Sequence, residues 1–232
     1  MLPFTREEFV AVFVAYNTAV WSAQVLASLL GLLVVALIII WPSKQRSRVV
    51  AAGLSAMWLW TGVAYHGRHF TAISAAAWGF GALFLVQGLL FIETGVLRGR
   101  LAFGPRKEHK GWTGWLSWAG WVMVAYSSIV YPLLGQLFMH GYPAMPMFGI
   151  TPCPVTIFTL GLFLLTTEPI PRRLLVIPVV WSLIGGQAAF RLGMTQDWLL
   201  LFRGATVIAL LWRDAVRRRV KPHETPVGDI HA

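Results

Sequence analysis

Residues 20–41 read VWSAQVLASLLGLLVVALIIIW, a run with no charged side chain and a single amide, Gln24. As a helix rising 1.5 Å per residue it covers roughly 33 Å, which matches a hydrocarbon core of about 30 Å. Its apolar residues are contiguous rather than alternating, so a helix fits it and a barrel strand does not. The run predicts an all-α, polytopic membrane helical bundle.

Toward the N-terminus, Thr5-Arg6-Glu7-Glu8 has the form of a capping box, with Thr5 as N-cap and Glu8 three residues in. It opens a helix through Phe9, Phe13 and Tyr16. Unbroken from Arg6 to Trp41, that helix would be roughly 54 Å long, too long for one crossing, so a bend is expected near Asn17 to Ser22. Residues 6–17 then form an N-terminal interfacial helix lying along the membrane surface. Toward the C-terminus, further apolar runs predict spans at 48–66, 71–97, 113–131, 153–167, 172–191 and 197–214, which with 20–41 makes seven transmembrane helices. A single transmembrane domain is expected over 1–220 and a disordered cytoplasmic tail over 221–232.

Composition agrees. The 232 residues are 57% hydrophobic and 12% charged, with mean hydropathy +0.66, more apolar side chain than a soluble domain of this size buries. The net charge of +10 does not indicate nucleic acid, because the basic residues form short clusters between apolar runs. Fifteen of the nineteen Lys and Arg fall in alternate connections, around Lys44–Arg48, Arg98–Lys110, Arg172–Arg173 and Arg213–Lys221. This bias puts the amino terminus outside and the carboxyl terminus inside, as a multi-pass protein of a bacterial inner membrane. Arg6, Glu7 and Glu8 stand where a secretory signal would have a basic start and an apolar core, so no cleavable signal is expected. The one cysteine, Cys153, excludes an intrachain disulfide.

Polar side chains within spans are the default functional candidates. Asn17, Gln24, His66, His69, His140, Cys153, Gln187, Asp197 and Arg203 fall near the outer ends, and chiefly Gln87 and Glu93 fall in the inner half. This distribution predicts a polar cup opening outward above an apolar floor, with Asn17, His66, His140, Cys153, Gln187 and Arg203 as ligand contacts. Arg203 lies about two turns into its span and at a different depth from Glu93, so the two are not expected to pair. Asp197 reads as an N-cap. His66, His69, His140 and Cys153 are enough in type to hold zinc or copper, although their spacing matches no established ligand motif. The alternative for these histidines is hydrogen bonding at helix ends. Cys153 precedes a helix start whose amides would favour a thiolate or an anion, or else it is a small buried hydrophobe beside a first-turn proline. Trp112, Trp115, Trp118 and Trp121 recur every third residue and read as an interfacial belt, or as a stacking platform for an aromatic ligand. Ala75 with Gly79 and Ala77 with Gly81 have the spacing of close helix packing. No internal repeat, serine elbow, P-loop or carboxylate pair is present.

Three segments, FTREEFVAVFVAYNTAVW (4–21), YHGRHFTAISAAAWGFG (65–81) and HGYPAMPMFGITPCPVTIFTLG (140–161), resemble an uncharacterised bacterial domain-of-unknown-function family of small polytopic inner-membrane proteins. The family's third span opens with Asn-Pro-Ala-Ala, where this chain has Ser74-Ala75-Ala76-Ala77. The resemblance implies several spans and a membrane location, and some members are loosely labelled permeases; it implies no reaction. Three functions stay open. A permease or binding protein for a small solute or ion comes first, then an intramembrane enzyme or metal-centre protein, then an assembly or scaffold protein whose Trp and small-residue faces meet partners, a homo-oligomer among them.

Overall fold

The computed structural model describes residues 3–40, 43–104, 111–138 and 141–193. Among these it is all-helical, with one isolated bridge between Phe103 and Thr166 and no strand. In chain order the helices are α1 (Arg6–Ala19), α2 (Trp21–Ile40), α3 (Lys44–Trp60), α4 (Ala77–Phe91), α5 (Gly111–Ala125), α6 (Tyr131–Phe138), α7 (Pro152–Leu164) and α8 (Arg173–Arg191). π-Helical turns prolong α3 over Thr61–His69 and α4 over Ile92–Leu97, and join α5 to α6 over Tyr126–Val130. Three helices, Trp21–Ile40, Ala77–Leu97 and Gly114–Phe138, are long and apolar enough to cross a membrane. The expected span at 197–214 and the tail at 221–232 lie outside the described residues.

The capping box forms as read: Thr5 N donates to the Glu8 carboxylate at 2.7 Å and Glu8 N to Thr5 Oγ1 at 3.2 Å. α1 then stops at Ala19, one residue before α2 begins, which is the bend required by length. The expected span at 71–97 begins later, because residues 70–76 form a short 3-10 turn and bends before α4. Among the described residues, one of its two small-residue faces packs against a neighbouring helix. A Cβ on Gly81 would sit 3.1 Å from the Gly62 carbonyl oxygen, and a Cβ on Gly62 would sit 3.1 Å from that of Gly81, so α4 crosses the end of α3 at backbone contact. No atom of the described residues lies within 4 Å of a Cβ placed on Gly79.

α7 is the axle of the bundle. Every one of its residues except Cys153 is buried, against α3, α5 and α8. A helix apolar on all sides belongs in such a position. Its thirteen residues reach only about 20 Å, and the loop before it, Gly141–Thr151, is itself largely buried. Two hydroxyls of α7 are satisfied locally, Thr156 by the Pro152 carbonyl and Thr159 by that of Val155, both at 2.8 Å.

Gln87, one of the inner-half candidates, has a structural partner. Pro178 inside α8 has no N–H, which leaves the carbonyl of Leu174 four residues earlier without its helical donor. Gln87 Nε2 donates to that carbonyl at 3.1 Å. Gln87→Leu is expected to cost about 1–3 kcal/mol by orphaning a buried acceptor. In a Pro178→Ala background, where the helix recovers its own bond, the same change should cost markedly less, and additive losses in a double-mutant cycle of thermal stability would refute the pairing.

Residues of three of the basic connections meet at one end of the bundle, and the fourth, Arg213–Lys221, lies outside the described residues. Glu93 pairs with Arg98 at 2.5 Å and with Arg173, which also donates to Thr94 Oγ1 at 2.9 Å. The Arg48 guanidinium lies against Gly99 at the same end. His66, Arg68, Arg191 and the loop Gly141–Thr151 are placed toward the other end, beside α1.

Candidate functional site

The cavity that brings the candidate residues together has a volume of about 290 Å³ and lies between α1, the π-helical end of α3, the start of α4, the beginning of α7 and the second half of α8. Phe4, Phe9 and Phe13 roof it from the N-terminal side; Phe4 and Phe9 stack at 5.8 Å and both meet Phe70 edge-on. Phe80 and Trp181 form adjoining parts of the wall, their rings meeting edge-on at 5.4 Å.

His66 sits at the inner side of this space and is fully buried. Five aromatic rings, those of Tyr65, Phe70, Phe80, Phe84 and Trp181, lie within 6.0 Å of the imidazole. Neither ring nitrogen has a hydrogen-bond partner, and the indole nitrogen of Trp181 also has none. Buried polar atoms without partners are uncommon in folded proteins and call for an explanation. The π-helical turn that carries His66 is of a kind often found at functional sites.

At its deep end the cavity is closed. Phe84 packs on Trp58 at 4.4 Å, Trp58 donates to Thr159 Oγ1 at 2.9 Å, and Phe91 meets Phe163 beneath them, all four aromatic side chains being buried. The mouth carries Gln187 and Arg191, both exposed, and Cys153 at the start of α7. That helix start is poorer in anion donors than its position suggests, since Pro152 and Pro154 bring no N–H to the first turn.

The family model for DUF6064, a family of unknown function, matches residues 6–221. The chain belongs to that family. No curated protein and no solved structure matches it.

Within this DUF6064 chain, His66, Cys153 and Gln187 line one cavity. His140 and Arg203 lie outside the described residues. Asn17 does not line the cavity. Its amide donates to the carbonyls of Pro143 and Met145, each at 2.7 Å, and its own oxygen atoms accept from Gln24 Nε2 at 3.2 Å. Tyr16, one residue earlier, donates to the Ile150 carbonyl at 2.8 Å and accepts from Trp60 Nε1 at 2.9 Å. Burial raises the Tyr16 phenol above its ordinary range, against a smaller lowering by Trp60, and so keeps it a donor. These neighbours therefore pin the loop Gly141–Thr151 to α1.

His69 turns from the cavity too: its Nδ1 is 2.8 Å from the Ala64 carbonyl oxygen and its ring meets Tyr16 edge-on. Among the described residues no group of three or more His, Cys, Asp or Glu is placed to hold a metal. Trp115 and Trp118 stack at 4.9 Å on an exposed face, away from the cavity. The sequence reading did not single out Phe70, Phe80 and Trp181. A signal was present in the fourfold spacings His66/Phe70, Phe80/Phe84 and Trp181/Gly185, which put an aromatic ring one turn from another site residue on three segments.

Proposed function

We propose that this chain is a multi-pass protein of a bacterial inner membrane, with seven spans, its amino terminus outside, and a cavity at the outer end that binds a small, largely apolar solute. The observation that carries the reading is the pair of unpartnered nitrogens of buried His66 in an aromatic cavity of about 290 Å³. Ligand sites of this kind are mostly apolar, hold a few placed polar groups, and begin at about 300 Å³. An uncharged imidazole offers one donor and one acceptor on different sides of the ring, so a ligand polar group can pair with the one that faces it.

Binding is favoured over an open passage because Trp58 and Phe84 close the deep end. Transport by this cavity requires those two rings to part. The enzyme or metal-centre reading keeps His66 and Cys153 on one cavity but loses His69, which is engaged elsewhere.

The test is saturable binding of naphthol to the protein purified in detergent, followed by quenching of tryptophan emission. At a hundredfold excess over Kd the ligand should stabilise the fold by about 2.7 kcal/mol. Ile184→Trp, which fills the cavity from α8, should abolish both effects. If neither naphthalene nor naphthol binds saturably to the wild-type protein, the reading is wrong. Orientation is tested separately. Green fluorescent protein fused to the carboxyl terminus should fluoresce and alkaline phosphatase fused there should be inactive, and the opposite pattern would overturn the topology.

A further inference from the structure

We infer that the ligand is an aromatic monocarboxylate of about two rings, with a hydroxyl group at the end remote from the carboxylate. This rests on the binding reading above and specifies its ligand. Size comes first. A cavity of about 150 Å³ lined by apolar side chains accommodates benzene, and this one, at about 290 Å³, has room for roughly twice that. Its walls are rings, Phe80 and Trp181 among them, which suit a flat aromatic body.

The buried end selects a hydroxyl. His66 presents two unpartnered nitrogens, one a donor and one an acceptor when uncharged, and Trp181 Nε1 adds a donor. A hydroxyl donates to the bare imidazole nitrogen and accepts from the indole. A carbonyl or ether oxygen accepts only and leaves that imidazole nitrogen unmatched. A carboxylate at this depth would meet no cation, since the rings around His66 are those of Tyr65, Phe70, Phe80, Phe84 and Trp181.

The mouth selects an anion. Arg191 lies on its rim, with Gln187 a turn before it, and Arg191 also faces a neighbouring hollow that holds Arg6. The one carboxylate in that hollow, Glu8, accepts from the Thr5 amide at 2.7 Å as part of the α1 cap. A guanidinium at an open rim fits a ligand carboxylate in a paired geometry. Hydroxyl and carboxylate therefore belong at opposite ends of one molecule.

The experiment compares four probes on the wild-type protein in detergent, corrected for partition into empty micelles: naphthalene, naphthol, naphthoate, and a hydroxynaphthoate with its two groups at opposite ends of the ring pair. Hydroxynaphthoate should bind about tenfold more tightly than either singly substituted probe. His66→Phe should remove the advantage of the hydroxyl and leave naphthoate affinity unchanged, while Arg191→Gln should remove the advantage of the carboxylate and leave naphthol affinity unchanged. Equal affinity of naphthol and hydroxynaphthoate would overturn the carboxylate assignment, and equal affinity of naphthoate and hydroxynaphthoate would overturn the hydroxyl assignment; both results leave the binding cavity standing. Absence of saturable binding by both naphthalene and naphthol would overturn the cavity reading itself. The wild-type series decides these outcomes even where a variant fails to fold.

Discussion

Asn17→Asp should lower the melting temperature of the detergent-purified protein by roughly 10 °C, with Asn17→Ala at least as damaging. Aspartate keeps the shape of the side chain but removes the two N–H donors that hold the carbonyls of Pro143 and Met145. Those carbonyls belong to a loop that is itself part of the interior, so losing the donor leaves acceptors without water to replace it. Each orphaned buried group costs about 1–3 kcal/mol, and the Gln24 amide is disturbed as well, which places the total at about 3–5 kcal/mol. Gln24→Leu, which removes only the outer member of the network, should cost less than half of this. If Asn17→Asp melts within 2 °C of wild type, by roughly the resolution of the measurement, the loop is not held by this clamp.

Gly120→Val should be the other severe change. A Cβ at Gly120 would lie 2.9 Å from the Gly161 carbonyl oxygen, and one at Gly161 would lie 3.0 Å from that of Gly120. α5 and α7 thus touch backbone to backbone, and α7 cannot retreat because it is enclosed by its neighbours. Overpacking usually costs about 1–3 kcal/mol, and here it acts against main chain rather than a side chain that can turn away. Gly120→Ala should fall in that range, and Gly120→Val should exceed it or prevent purification of a folded protein. Gly79→Ala is the control. No atom of the described residues lies within 4 Å of its would-be Cβ, so replacing this first-turn glycine should stabilise by up to about 0.5–1 kcal/mol. Thermal melts of the three variants side by side check the contrast. Similar losses at Gly120 and Gly79 would mean that the close approach of α5 and α7 is absent.

The features legible in the sequence are those settled within a single segment. The capping box of α1 depends on residues three apart, and the break between α1 and α2 follows from the length of one apolar run. The candidate site was legible by residue type and not by arrangement. Asn17 and His66 look alike as polar groups near span ends, yet Asn17 is fully engaged by loop carbonyls and His66 by nothing. Gln87, a polar candidate of the inner half, donates to the carbonyl left free in a helix interrupted by a proline 91 positions later, at Pro178. The proline-flanked Cys153 looked like an anion site, although its two neighbours remove the donors that such a site needs.

The sequence by itself determined the helical character of the chain, the existence of apolar runs of crossing length, and the gathering of basic residues in alternate connections. Each follows from local hydrogen bonding or from how much apolar surface a short stretch carries. Only the tertiary structure decided that Gly141–Thr151 is packed inside, that α7 is the enclosed centre, and that His66, Cys153 and Gln187 line one cavity walled largely by aromatic rings. Those outcomes depend on which partner each side chain meets across dozens of residues, and a polar atom's role is defined by whether another segment satisfies it. His66 is left with two unmet nitrogens among five rings, a state that arises only when α3, α4 and α8 come together.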